Sequence, residues 1–167
     1  TFYGQLATAA LASGGKLQLP DEPAKTADGQ KRFSNKELVR AARILKDIDR
    51  ERELWTIMLH LADITDDRAE LAALSDLALS FGDRKLSLRI AKAASLRNIV
   101  LAEHAYPTAA MPNWTHKGPP VEKALVYGLS RQESEFDPDA LSPAGARAGP
   151  YTHLTLPTTH SCAVSEV

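Results

Sequence analysis

The sequence predicts an all-α protein, on three observations. Between Ser34 and Ala102 apolar residues recur at offsets of three and four, residues that favour helix starts and stops stand between the stripes, and no stretch alternates apolar with polar as a half-buried strand does. A chain of 167 residues suffices for one ordinary domain or two small ones. Lysine plus arginine number 20 against 21 for aspartate plus glutamate, and this near balance excludes a global basic field for nucleic acid or an anionic membrane surface. One cysteine, Cys162, cannot form an internal disulfide, and the Cys/His spacing of a zinc site is absent, so neither a metal nor a cofactor is expected. No apolar run approaches the roughly 20 residues needed to cross a bilayer, so no transmembrane segment is expected. The chain opens at Thr1 with neither methionine nor a secretory pattern, as an internal fragment or a processed protein does.

Taken in order, Ser34-Asn35-Lys36-Glu37 fits a capping box and predicts a helix start, with Leu38, Ala41, Ala42, Leu45 and Ile48 along one face. A second helix is expected from about Arg50, striped by Leu54, Ile57, Met58 and Leu61. Asp67 with Glu70 predicts a third start; Leu71, Leu74, Leu77, Ala78 and Phe81 follow, and Gly82 stands where a left-handed C-cap belongs. Asp83 opens a fourth helix, expected to run to about Ala102 with Leu86, Ile90, Ala93, Ala94 and Arg97 on its face. Very short turns make such helices antiparallel neighbours, and a succession of hairpins stacks into an α-superhelix, the expectation for residues 1–105. A compact irregular bundle of the same helices is the alternative. The alanine and leucine stripes read as core and carry no site.

From 106 to 120 the pattern breaks. Pro107, Pro112, Pro119 and Pro120 interrupt any helix, which marks a linker in which Trp114 pins the chain to a surface and His116 has no role. Pro120 suits a helix start, and Val121, Ala124, Leu125, Gly128 and Leu129 are the expected buried face of a helix ending near Glu135. Asp137-Pro138 is the expected stop. Glu133 falls at the edge of that stripe, whereas Glu135 is rotated by about 200°, so the two carboxylates cannot serve one site from this helix. A glutamate in a last helical turn is ordinarily a solvated charge. Spacing by itself assigns Glu133 nothing.

The wider string does more. Gly128-Leu129-Ser130-Arg131-Gln132-Glu133-Ser134-Glu135-Phe136-Asp137-Pro138 continues as Asp139-Ala140-Leu141-Ser142-Pro143-Ala144-Gly145-Ala146. It resembles the first motif of the soluble lytic transglycosylases: a helix ending in glutamate-serine, then aromatic-x-proline, then serine-proline-x-glycine-alanine. Thr1-Phe2-Tyr3-Gly4-Gln5-Leu6-Ala7 is similar to a stretch of the superhelix that precedes their catalytic domain. The resemblance implies a lysozyme-like, almost wholly helical domain beginning at 121–147, behind the α-superhelical one. It implies that Glu133 is the catalytic glutamate, that Ser142 contacts the sugar, and that Ser134 supports the helix end. Phe136 and Pro138 read as a packing anchor and a helix stop, and Asp137 and Asp139 as solvated turn residues.

What this family does is cut peptidoglycan glycan strands between N-acetylmuramic acid and N-acetylglucosamine, in the periplasm, leaving a 1,6-anhydromuramic end. One glutamate suffices where ordinary glycosidases need two carboxylates, because no water is activated. Starting protonated near neutral pH requires a raised pKa, the kind an apolar cleft wall produces.

The resemblance ends at Arg147. Where the family continues through glycine-leucine-methionine-glutamine, this chain has Arg147-Ala148-Gly149-Pro150-Tyr151, and from Ala148 on a threonine-rich stretch without lysine or arginine. The expectation is that residues 148–167 are frameshifted or foreign, irregular and loosely attached, and that most of the catalytic domain is missing. His153, His160 and Cys162 then carry no metal, their spacing fitting no usual ligand pattern. The alternative to a truncated lyase is a helical-repeat binding module without catalysis, gripping a protein or glycan through a concave face.

Overall fold

The computed structural model describes residues 10–11, 21–107, 122–137 and 140. Among them the regular structure is helical throughout: α1 Ala27–Asn35, α2 Glu37–Asp47, α3 Glu51–Ile64, α4 Arg68–Ser80, α5 Arg84–Leu96, the single turn α6 Ala102–Ala105, and α7 Lys123–Glu133. The chain divides into two units, Thr1–Tyr106 and Pro107–Val167. The segment Thr1 to Ala7 and the residues from Leu141 onward, with the expectations attached to them, lie outside the described residues.

The first helix start is earlier than the capping box predicts. Thr26, extended at ψ 144°, accepts a hydrogen bond from Gly29 N at 3.2 Å and caps α1, a helix the stripe search misses. Ser34 therefore lies in the last turn of α1 and is not a cap. Lys36 is extended at ψ 136° and separates α1 from α2 without a side-chain cap. The break has a packing reason. On one straight helix Phe33 and Ala42 would stand about 180° apart. Resetting the phase at Lys36 lets Phe33, Val39 and Ala42 all enter the core. Ile48, expected on the buried face, is 58% exposed.

Three-residue connections join α2 to α3, α3 to α4, and α4 to α5. Helices α2 and α3 pack on one another, as do α4 and α5, so each pair is a hairpin. The hairpins meet chiefly through α3 and α5, while α1 packs on α2 and α4. Their apolar faces form one cluster, with Val39, Met58, Leu71, Leu86 and Ile90 fully buried. Two of the predicted caps hold: Asp67 accepts from Glu70 N at 2.9 Å and Asp83 from Leu86 N at 2.8 Å. Gly82 takes the left-handed conformation at φ 81°, and the chain turns there toward α5.

Helix α5 ends at Leu96, six residues before the expected Ala102. Asn98 is left-handed at φ 63°, and Ile99 N reaches back to Ala94 O at 3.1 Å, closing the helix end. Arg97, expected on the apolar stripe, uses its guanidinium on the end of α3. It donates to the carbonyls of Ala62 and Asp63 and to the Asp66 carboxylate. Those carbonyls are orphans of a helix C-terminus, so Arg97 caps α3 from a distance.

Candidate functional site

Helix α7 begins after Glu122, which is extended and makes no side-chain cap. Its buried row is Val126, Ser130 and Ser134, at 2%, 0% and 4% exposure. This corrects the expected face: Leu125 is 57% and Leu129 48% exposed, and Ala124 and Gly128 are exposed as well. The reason is local. Ser130 Oγ donates to Val126 O at 2.8 Å and Ser134 Oγ to Ser130 O at 3.1 Å, so both hydroxyls are satisfied within the helix and can be buried. A pattern search that counts serine as polar turns the helix the wrong way round.

Glu133 is the last helical residue, exposed, on the same row as Leu125 and Leu129. The helix stops two residues short of the predicted Glu135. It stops by a change of backbone hand, with Glu135 at φ 53° and Phe136 at φ 62°, before the Asp137-Pro138 pair is reached. Pro138 and Ser142 lie outside the described residues.

The turn closes on one carbonyl. Ser130 O accepts from Ser134 N at 3.2 Å, from Ser134 Oγ at 3.1 Å and from Phe136 N at 3.3 Å. Asp137 N then donates to Ser134 O at 2.9 Å. The Phe136 side chain, 8% exposed, meets Tyr127 edge to face, with ring centroids 6.3 Å apart and planes at 64°. Ser134 thus stands at the helix end and Phe136 against the helix flank. Neither the Tyr127 contact nor the burial of Ser130 has a signal in the sequence; a tyrosine nine positions ahead of an aromatic carries no helical periodicity by which to find it.

A second polar cluster lies in the first unit, at α4 and α6. Asp76 takes Lys25 Nζ at 2.7 Å on one oxygen and His104 Nε2 at 3.0 Å on the other. Burial raises the Asp76 carboxyl, but hydrogen bonds from Lys25 and His104 outweigh it and leave the group below its ordinary range. The same pairing raises Lys25. His104 is buried, and its Nδ1 has no hydrogen-bond partner among the described residues. Within those residues no group of three or more His, Cys, Asp or Glu side chains could hold a metal ion, and no helix is long and apolar enough to cross a membrane. The chain matches no protein-family model, no curated protein and no solved structure at a significant level.

Proposed function

We propose that this chain is a fragment of a periplasmic lytic transglycosylase and that Glu133 is its acid/base. The observation that carries the reading is the Glu133-Ser134 pair at a helix end, followed by Phe136-Asp137-Pro138 and Ser142-Pro143-Ala144-Gly145-Ala146. Its position is in keeping with that role: an exposed carboxylate on the last residue of a helix can meet a polymer, which a buried one cannot. The exposed Leu125 and Leu129 on its row offer apolar surface of the kind a cleft wall needs.

In this reading protonated Glu133 gives its proton to the glycosidic oxygen between N-acetylmuramic acid and N-acetylglucosamine, and the bond to the anomeric carbon breaks. The substrate's acetamido oxygen stabilises the positive charge that develops there. Glu133, now a carboxylate, takes the proton of the muramic acid C6 hydroxyl, whose oxygen closes on C1 as a 1,6-anhydro ring. The glutamate ends protonated, as it began, and no water is consumed. Ser142 is assigned to sugar contact.

The experiment uses purified peptidoglycan and a version of the protein that continues after Ala146 through glycine-leucine-methionine-glutamine. Release of 1,6-anhydromuropeptides should fall by at least about a hundredfold in Glu133→Gln, whose amide is nearly isosteric but moves no proton. Substantial turnover in that variant removes Glu133 from the role. The 167-residue chain itself should be close to inactive, because the opposite cleft wall that holds substrate within reach of the acid is not part of it.

A further inference from the structure

We propose that Tyr127 is a positioning residue for Glu133, its ring anchoring Phe136 in a left-handed turn that keeps the carboxylate uncovered. The functional half rests on Glu133 being the acid/base; the structural half does not.

Two successive non-glycine residues, Glu135 at φ 53° and Phe136 at φ 62°, occupy the left-handed region. A bulky side chain there is strained and persists only when its surroundings hold it. Had the backbone kept its right-handed course, α7 would continue, and Phe136 would stand three residues beyond Glu133 and four beyond Gln132. Long side chains on a helix lean toward the preceding turn, so the Phe136 ring would lie over that pair and shield the carboxylate.

The observed turn does the opposite. Phe136 N bonds back to Ser130 O at 3.3 Å, and the ring swings onto Tyr127, 6.3 Å between centroids. Phe136 ends 8% exposed while Glu133 stays open to solvent. Backbone hydrogen bonds, Phe136 N to Ser130 O and Asp137 N to Ser134 O, also hold the turn, and any residues would make them. The Ser134 hydroxyl bonds the Ser130 carbonyl, which is upstream of the strained pair. Edge-to-face packing of the Tyr127 ring acts on Phe136 itself, one of the two strained residues.

The test begins with NMR on the full chain, where a positive φ gives a strong contact between a residue's own amide and Hα protons. Tyr127→Phe keeps the ring and should keep both residues left-handed. Tyr127→Leu keeps bulk and helix propensity without an aromatic edge, and should lower the population of the turn by about two- to tenfold. Adding Glu135→Gly to Tyr127→Leu should restore the turn, because glycine enters that region without strain. Amide signals of Val126 and Ser130, on the buried row of α7, report whether the helix survives in each variant. Full retention of both positive φ values in Tyr127→Leu overturns the proposal. So does failure of Glu135→Gly to restore the turn, which would make Tyr127 a core residue only.

In the version with the family continuation, Tyr127→Leu should lower kcat by a similar factor with little change in KM, and Glu135→Gly should recover it. A lost turn with unchanged kcat overturns the positioning role. Activity that survives Glu133→Gln strikes at the reading of Glu133 instead, and the NMR result stands or falls without it.

Discussion

Replacing Asp83 by alanine removes two hydrogen bonds made by one carboxylate. Oδ1 accepts from Leu86 N at 2.8 Å and caps α5; Oδ2 accepts from Trp55 Nε1 at 2.7 Å and ties α5 to α3. Losing an N-cap costs about 1 kcal/mol. Leaving the partly buried indole N–H without its acceptor costs about 1 kcal/mol more. The guanidinium of Arg89 stands 5.4 Å from the Trp55 ring centroid, so a displaced indole would loosen that contact as well. Asp83→Ala should therefore destabilise the first unit by about 2 kcal/mol, which for a unit of this size lowers Tm by roughly 10 °C. Urea unfolding followed by far-ultraviolet circular dichroism measures it. In a Trp55→Phe background the indole donor is already gone, and the same substitution should cost about 1 kcal/mol, the cap alone. Equal losses in the two backgrounds, or a loss under about 0.5 kcal/mol in the parent, would refute the idea that one side chain does both jobs.

Three further outcomes follow from the same geometry. Thr26→Ala should destabilise by about 1 kcal/mol and Ser34→Ala by less than half of that, since Thr26 caps α1 and Ser34 sits in its last turn; equal losses in urea would restore the capping box at Ser34. Gly82→Ala should cost about 1 kcal/mol through backbone strain alone, because φ is 81° and an added Cβ meets nothing within 4 Å, and an unchanged urea midpoint would contradict that conformation. Asp76, whose carboxyl is held below its ordinary range by Lys25 and His104 against the burial that raises it, stabilises the fold above its unfolded pKa and loses that contribution as pH falls through the folded value. Stability measured from about pH 5 down to pH 2 should then decline less steeply in Asp76→Asn, and an identical slope would count against the cluster.

Much of this protein is legible without coordinates because its signals are local. A carboxylate at Asp67 or Asp83 meets amides three residues on, Gly82 tolerates a backbone hand that other residues resist, and the Leu71–Leu74–Ala78 stripe follows from helical pitch. Such features depend on neighbours within a turn of helix, and the helix class, the start of α3 and the boundaries of α4 are legible in them. The resemblance around Glu133 is likewise a property of the string alone.

What only the tertiary structure decided depends on partners far along the chain or on groups that satisfy themselves. Phe33 and Val39 reach the same core from two helices because Lys36 breaks the phase between them, which no single-helix periodicity contains. Asn98 ends α5 in a left-handed turn, where the apolar pattern ran on. The orientation of α7 came out opposite to its pattern, since Ser130 and Ser134 bond back to the carbonyls four residues earlier and enter the interior as if apolar. Leu125 and Leu129 face outward beside Glu133 for that reason. Periodicity counts side chains by their chemistry in water, whereas the fold sorts them by whether their hydrogen bonds are already made.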